Sequence, residues 1–235
     1  MESNKSNESK TSDIVCIYGN NKYRNCLIYN LVYEYMKTEK IKFGVVIGNA
    51  YPYYEYFSDN IYIKYDEIIM ETYLKNLNRI YTNCNGDIDD NLLIVDSNLI
   101  DLTSECWKEL LENYQIYKTN IIIILDKIMD YNINKLGEYV DTVFILKHVF
   151  NRYEYLERIY TTFFINTYHK EQFIETYIRC TDKLSDVMIA NLKTNNVYSC
   201  QINSTLPTIV FNTYKIYEPK TIYKQRCVIS DIINV

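Results

Sequence analysis

Short apolar runs alternate along the chain with segments whose apolar residues recur every three or four positions. The first pattern is typical of buried strands and the second of amphipathic helices. The apolar runs predict strands at 14–19, 42–48, 61–65, 91–97, 119–127 and 140–148, and a hairpin formed by 186–192 and 197–203. The periodic segments predict helices at 26–37, 66–81, 103–117, 151–164 and 170–181, with Thr103 or Ser104 as the cap of the third. Loops are predicted at 51–60 and 82–90.

The alternation of strands and helices indicates the fold class. Strands that are apolar on both faces and alternate with helices favour an α/β sandwich with a mostly parallel central sheet flanked by helices. Residues 1–12 are polar and are predicted to be a disordered tail. No Ser/Gly/Pro-rich linker interrupts residues 13–217, which we interpret as a single domain, and 218–235 as a C-terminal extension.

Composition narrows the class of protein. With 235 residues and 48% hydrophobic residues, the chain can bury a sizeable core. A net charge of −5 argues against a surface that grips nucleic acid throughout, so DNA stays an unsupported partner despite the basic segment 217–226. The longest strongly apolar run, 121–125, is too short to cross a bilayer, and no membrane partner is expected. Seven scattered cysteines without a CxxC pair predict reduced thiols in an intracellular compartment and no metal site.

The stretch from the first predicted strand into the first predicted helix has the layout of a phosphate-binding P-loop. A working P-loop wraps phosphate with backbone N–H groups, and it supplies a lysine and a Ser or Thr that holds Mg²⁺. With Gly19 as the first glycine, Arg24 stands at the second glycine, Asn25 at the lysine and Cys26 at the Ser/Thr. Lys22 lies within the loop and is the remaining candidate for a phosphate contact. Three of the four P-loop positions that take part in binding phosphate or Mg²⁺ are therefore replaced.

The apolar stretch "LLIVDSN" (92–98) has the layout of a Walker B strand, which ends in an acid that holds Mg²⁺ and usually a second acid. Asp96 fills the first place, and Ser97 stands at the second. A simpler explanation exists for each motif alone, since a strand–turn–helix with one glycine is common and an Asp after a strand often caps a turn. Their order and spacing together favour the joint interpretation.

Four stretches resemble one known family. "LLIVDSN" (92–98), "CWKELLENYQIYKTNIIIILDK" (106–127), "YVDTVFILKHVFNRYEYLERIYTTFF" (139–164) and "EQFIETYIRCTDKLSDVMIANLKTNN" (171–196) are similar in order and residue type to the FtsK/HerA-type genome-packaging ATPases of large double-stranded DNA viruses, in the poxvirus-like branch. The resemblance covers roughly residues 13–205. It implies a P-loop NTPase-like fold, and it places the family's sensor glutamine at Asp126.

The sequence departs from the family at the positions that bind the nucleotide and support its hydrolysis. Besides the P-loop replacements, Ser97 stands for the second Walker B acid and Asp126 for the sensor glutamine. The family's segment that supplies an arginine in trans corresponds to 112–120, which contains no arginine. Loss of such an arginine alone typically costs about 10³–10⁵ in rate. These losses together imply a relaxed requirement for hydrolysis, so whether the chain is an enzyme stays open and leans towards no.

These expectations combine into one favoured hypothesis and two alternatives. The favoured one is a degenerate packaging-ATPase-like protein that does not hydrolyse ATP and acts as a structural or regulatory subunit. Its expected partners are an active packaging ATPase, virion proteins or further copies of itself, in the host cytoplasm at a viral factory or in the virion. No cofactor is assigned, and ATP with Mg²⁺ stays as a weak ligand. The alternatives are a divergent active ATPase that uses Lys22 and Asp96, and an α/β interaction module without nucleotide function.

Overall fold

The computed structural model describes residues 12–38, 41, 43–48, 61–62, 67–86, 88–96, 100, 103–125, 136–148 and 152–202. The strands are β1 (Ile14–Tyr18), β2 (Phe43–Ile47), β3 (Ile61–Tyr62), β4 (Asn91–Asp96), β5 (Thr119–Leu125), β6 (Thr142–Leu146), β7 (Asp186–Asn191) and β8 (Asn196–Gln201). The helices are α1 (Arg24–Thr38), α2 (Glu67–Asn83), α3 (Glu105–Asn113), α4 (Arg152–Ile159) and α5 (Lys170–Cys180). A π-helical segment, Tyr160–Phe164, continues α4.

One eight-stranded sheet contains all of these strands, in the order β3-β2-β4-β5-β1-β6-β7-β8. The first six strands of the chain run parallel to one another, and β7 and β8 are added antiparallel beside β6. β5 lies between β1 and β4, so the two strands that carry the predicted P-loop and Walker B residues are not neighbours. The predicted α/β fold with a mostly parallel sheet is confirmed.

Each face of the sheet is covered by helices. On one face, apolar residues of α1 such as Leu27 and Leu31 pack with every second strand residue, including Val15 and Ile17. On the other face, α2, α3, α4 and α5 cover the alternate residues, such as Cys16. Central strands that are buried on both sides need continuous apolar sequence, which explains why their runs do not alternate with polar residues.

Several predicted boundaries need correction. α1 begins at Arg24, two residues early, because the Arg24 N–H donates to the Asn21 carbonyl (3.1 Å) and closes a tight turn. α3 ends at Asn113 and not at 117, because a turn follows that leads to Lys118 at φ 45°. Ser104 is the cap of α3, since its Oγ accepts from the Trp107 N–H.

The predicted helix at 151–164 changes from α to π geometry at Tyr160. A Cβ on Gly137 would collide with the carbonyl oxygen of Thr162, so the segment before β6 approaches the π-helical turn where only glycine fits. The buried Oγ1 of Thr162 has no hydrogen-bond partner. Periodicity cannot distinguish α from π geometry over a single turn, because both leave apolar residues on the same side.

The predicted hairpin is confirmed by the antiparallel pairing of β7 with β8. Its turn is closed by Asn191, whose Oδ1 accepts from the N–H groups of Lys193 and Thr194, and Asn195 adopts φ 59°. The predicted tail, the loop at 51–60 and the C-terminal extension lie outside the described residues, apart from Ser12. Among the helices described, none is long and apolar enough to cross a bilayer.

Candidate functional site at the carboxyl edge of the sheet

The carboxyl ends of the parallel strands place two of the predicted site residues along one edge of the sheet. Gly19 follows β1, and Asp96 is the last residue of β4. One strand separates them, and neighbouring strands lie about 4.8 Å apart, so the two positions are about 10 Å apart across the sheet. Ser97 and Asp126 directly follow β4 and β5 but lie outside the described residues.

Gly19 makes the turn that the sequence predicts. Its φ is +116°, a backbone conformation that other residues rarely adopt, and its N–H donates to the Leu125 carbonyl at 3.0 Å. A Cβ on Gly19 would lie 2.8 Å from the hydroxyl oxygen of Tyr155 and 3.2 Å from Leu146 Cβ. Gly19 is therefore required both by the turn and by the side chains packed against it.

Asn21 organises the loop and was not predicted as a site residue. Its Oδ1 accepts from the Tyr23 N–H at 2.8 Å. Its Nδ2 donates to the carbonyl of Lys147, after β6, and to the carbonyl of Leu184, between α5 and β7, both at 3.2 Å. An asparagine that bonds the backbone two residues later forms an Asx turn. The loop is thereby closed on itself and attached to the β6–β7 half of the sheet.

The two basic residues of the loop take different positions. Lys22 is exposed, and its Nζ lies 5.1 Å from the centre of the Tyr23 ring, a cation–π contact. Arg24 is only 4% exposed and is the first residue of α1. No residue from Asn20 to Cys26 has a positive φ, so the backbone at Arg24 differs from the conformation that the second glycine of a P-loop provides.

Asn25 and Cys26 occupy the positions of the P-loop lysine and Ser/Thr, and both are half-buried in the first turn of α1. Burial raises the pKa of the Cys26 thiol, although a backbone hydrogen bond opposes the shift. The thiol is therefore protonated at neutral pH, and a neutral sulfur is a poor ligand for Mg²⁺, which prefers hard oxygen ligands. Asn25 carries no charge to offer a phosphate.

Asp96 is 9% exposed, and its carboxylate lies against the backbone of Gly48, the residue that follows β2. A Cβ on Gly48 would fall 2.7 Å from Asp96 Cγ and even closer to Oδ2. The carboxylate occupies the space that a side chain at position 48 would need. β2 borders β4 on the side away from β5 and β1, so this contact lies on the side of β4 that is away from the Gly19 strand. Gly48 gave no signal in the sequence beyond being a glycine after a strand.

A cluster of tyrosines fills the other side of the loop. Tyr155 donates from its hydroxyl to the Leu146 carbonyl at 2.9 Å, and its ring contacts Tyr18 (4.7 Å between ring centres) and His148 (4.3 Å). Burial raises the pKa of Tyr155 well above its usual range, and the nearby Tyr177 and Tyr18 add to the shift. The Tyr155 hydroxyl therefore stays protonated and acts as a hydrogen-bond donor beneath Gly19.

A second buried polar cluster lies at the opposite, amino edge of the sheet, where β1 and β6 begin. Asp141 is 4% exposed, and its carboxylate accepts from the Ile14 N–H (2.8 Å), the Tyr114 hydroxyl (3.0 Å) and Lys193 Nζ (2.6 Å). Lys193 Nζ also donates to the Tyr114 hydroxyl at 3.3 Å. We call this group the Asp141 cluster. Its members satisfy one another, so its role is structural.

In the part of the chain that the structure describes, no group of three or more His, Cys, Asp or Glu side chains is placed to hold a metal ion.

Comparison with known proteins gives a likeness in fold without a close relative. No family model matches the chain, and no curated protein matches it. The genome packaging NTPase B204 from Sulfolobus turreted icosahedral virus 2, in complex with ATP-gammaS, is similar with a TM-score of 0.56 and 12% identity, over 80% of this chain and 96% of that one. B204, the DNA-packaging ATPase from Sulfolobus turreted icosahedral virus, is similar with a TM-score of 0.56 and 15% identity over the same shares.

The cytoplasmic domain of the type VII secretion ATPase EccC from Thermomonospora curvata is similar with a TM-score of 0.50 and 9% identity. That match takes in 94% of this chain and 27% of EccC. Likeness at such low identity concerns the fold and not the activity. The chain has the α/β fold of P-loop NTPases, in a form like that of the viral genome-packaging NTPase B204.

Proposed function

We propose that this protein is a degenerate relative of viral genome-packaging ATPases that does not hydrolyse ATP and serves as a structural or regulatory subunit. The observation that carries the proposal is the combination of an NTPase-like sheet with a loop whose Asn21 bonds the loop's own backbone and an Asp96 carboxylate that lies against Gly48. The fold likeness to B204, a packaging NTPase solved with ATP-gammaS, supports the first half. The geometry of the loop and of Asp96 supports the absence of ATP hydrolysis.

The loop argues against phosphate binding in the usual manner. A P-loop presents several backbone N–H groups to the phosphates. Here the N–H groups of Gly19, Tyr23 and Arg24 donate to Leu125 O, Asn21 Oδ1 and Asn21 O, respectively. The positive charge of the exposed Lys22 lies beside the Tyr23 ring, and Arg24 is buried. A triphosphate would have to break these contacts before the loop could surround it.

The position of Asp96 argues against Mg²⁺-assisted hydrolysis. A Walker B acid holds the metal that bridges the β- and γ-phosphates, and a positioned group must orient the attacking water. The Asp96 carboxylate lies against Gly48 on the far side of β4 from the loop. In addition, the thiol at position 26 is a poor substitute for the hydroxyl that holds Mg²⁺ in a working site.

The alternative of a divergent active ATPase requires Lys22 Nζ to point towards a space beside Asp96. The contact of Lys22 with Tyr23 does not favour that geometry. The alternative of an α/β module without nucleotide history is not favoured either, since the strand arrangement resembles that of packaging NTPases. The proposal extends to partners and place: we infer assembly with an active packaging ATPase or virion proteins, in a viral factory or the virion, and at most weak binding of ATP and Mg²⁺.

An ATP turnover assay tests the proposal. Purified wild-type protein is compared with Asp96→Ala and with Glu112→Ala, a control at an exposed position of α3. We expect phosphate release from ATP and Mg²⁺ to be equal for all three proteins and indistinguishable from buffer. Sustained release by the wild type and Glu112→Ala that disappears in Asp96→Ala would show a working ATPase and contradict the proposal.

A further inference from the structure

Asn21 makes more hydrogen bonds than a turn residue needs. An Asx turn uses only the side-chain oxygen, here accepting from the Tyr23 N–H. The side-chain nitrogen additionally reaches two carbonyls that are distant in sequence, those of Lys147 and Leu184. These carbonyls belong to the chain after β6 and to the connection between α5 and β7. One side chain thus links three separate segments at the carboxyl edge.

The segments that Asn21 links are held independently. Lys147 donates from Nζ to the Asp182 carbonyl, which ties the end of β6 to the connection before β7. The His148 N–H donates to the Tyr177 hydroxyl at 3.1 Å, and Tyr177 lies in α5. The surface onto which Asn21 attaches the loop is therefore fixed by other contacts. Breaking the Asn21 side-chain bonds would therefore release the loop from this surface and leave the surface itself in place.

The Tyr23 N–H is the group that links this contact to ligand binding. It lies in the turn before α1, where backbone N–H groups point towards a ligand in a P-loop. Asn21 Oδ1 occupies this donor at 2.8 Å, as a phosphate oxygen would. We propose that Asn21 is an autoinhibitory lock, which takes the place of a phosphate oxygen in the loop and holds the loop against the β6–β7 half of the sheet.

The inference rests on the proposed function, because it explains how a loop that retains the P-loop layout is kept from phosphate. Besides the missing lysine and second glycine, the Asn21 side chain keeps phosphate out of the loop, and this contact can be removed by mutation. Removing the Asn21 side chain frees one backbone donor and two attachments. Three neutral hydrogen bonds at the low end of their usual net value together amount to about 1.4 kcal/mol, which corresponds to a gain in affinity of about tenfold for a phosphate-bearing ligand.

Titration calorimetry of ATPγS with Mg²⁺ tests the lock on wild-type protein, Asn21→Ala and the control Asn166→Ala, an exposed asparagine in the turn after the π-helical segment. We expect Asn21→Ala to bind about tenfold more tightly than the wild type, and Asn166→Ala to match the wild type. Amide hydrogen exchange at Gly19–Arg24 should be faster in Asn21→Ala, and bound ATPγS should slow it again.

If Asn21→Ala does not fold, judged by circular dichroism, Asn21→Gly decides by the same criterion, since glycine also removes the acceptor from the Tyr23 N–H and suits a turn. Equal affinity of the position-21 variant and the wild type overturns the lock, whether both bind or neither does. ATP turnover in the same wild-type sample reports on the proposed function separately. Absence of turnover with no gain in affinity removes the lock and leaves the proposed function in place.

Discussion

The two edges of the sheet use polar residues in opposite ways. At the amino edge, the Asp141 cluster joins a buried carboxylate to a lysine and to backbone and tyrosine donors, which fixes the starts of β1 and β6. At the carboxyl edge, Asp96 lies against a glycine and Asn21 bonds the backbone of its own loop. In parallel α/β sheets, ligands bind at the carboxyl edge.

Under the proposed function, the difference separates the edge that holds the fold together from the edge where a phosphate would bind in an active relative. The amino edge contributes to stability, and its contacts remain complete. The carboxyl edge has the strand–turn–helix order of a phosphate site, but Asn21 bonds the backbone of its own loop and the Asp96 carboxylate lies against Gly48. Substitutions at the two edges should therefore differ in their effects on stability.

Removing the carboxylate of the Asp141 cluster should have the largest effect on stability. In Asp141→Ala, the Ile14 N–H and the Tyr114 hydroxyl lose a buried acceptor. Leaving such donors unsatisfied predicts a loss of about 3 kcal/mol in the free energy of unfolding, measured by urea denaturation. Glu112→Ala, at an exposed position, should change it by less than about 0.5 kcal/mol. Equal effects of the two substitutions would remove the structural role of the cluster.

Gly48→Ala tests whether Asp96 lies against Gly48 at the carboxyl edge. The added methyl meets the Asp96 carboxylate, and overpacking of this kind costs about 1–3 kcal/mol. Gly86→Ala is the matched control, since Gly86 also has a positive φ (+83°) but its new Cβ would only touch the Tyr81 ring at 3.4 Å. Urea denaturation should show the larger loss for Gly48→Ala.

The same pair can be tested by a double-mutant cycle. Asp96→Ala removes the atoms that clash, so the double variant Gly48→Ala/Asp96→Ala should recover much of the stability lost in Gly48→Ala alone. Strict additivity of the two substitutions would mean that the Asp96 carboxylate does not lie against Gly48 at the carboxyl edge.

Tyr155→Phe probes the packing beneath Gly19. It removes the hydroxyl that donates to the Leu146 carbonyl and keeps the ring contacts with Tyr18 and His148. We expect a loss of about 1 kcal/mol in the free energy of unfolding by urea denaturation. Tyr153→Phe removes a hydroxyl from a residue that is 84% exposed and should be neutral. No difference between the two variants would show that the Tyr155 hydroxyl does not hold this edge.

Lys193→Met should have the smallest effect, and the effect should depend on pH. Partial burial lowers the pKa of Lys193, but the hydrogen bond and charge of Asp141 outweigh it, so the net pKa is raised above 10.5. A raised pKa means that the ion pair stabilises the fold fully below pH 10.5, and that this stabilisation is lost as the pH rises through the folded-state pKa.

Because the Lys193 side chain is 50% exposed, its contribution at neutral pH is below about 1 kcal/mol. The difference in the free energy of unfolding between wild type and Lys193→Met should shrink from pH 8 towards strongly alkaline pH. A difference that grows with pH would contradict the assigned pairing with Asp141.

The sequence was sufficient for the elements but not for their contacts. Helices and strands are local patterns of period 3.6 and 2, so α2 and β5 could be predicted from neighbouring residues. Asp141 could not be assigned, because its partners Tyr114 and Lys193 are 27 and 52 residues away and come together only through the strand order. The insertion of β5 between β1 and β4 likewise depends on long-range pairing.

The candidate site was predicted in part for the same reason. Gly19 and Asp96 stand at strand ends, where sequence position alone places them at one edge. The Asx turn of Asn21 with Tyr23 is local, so sequence could indicate it. The bonds of Asn21 to Lys147 and Leu184 are long-range, so sequence could not. The contact between the Asp96 carboxylate and Gly48 depends on which strand lies beside β4. No local sequence pattern indicates that neighbour.

A structure of the protein determined with saturating ATPγS and Mg²⁺ would show whether the carboxyl edge receives a nucleotide. We predict that the loop keeps the bond from the Tyr23 N–H to Asn21 Oδ1, that Asp96 stays against Gly48, and that no metal ion joins Asp96 to a triphosphate. A triphosphate enclosed by residues 19–26, with Lys22 on a phosphate oxygen and Asp96 facing Mg²⁺, would contradict it.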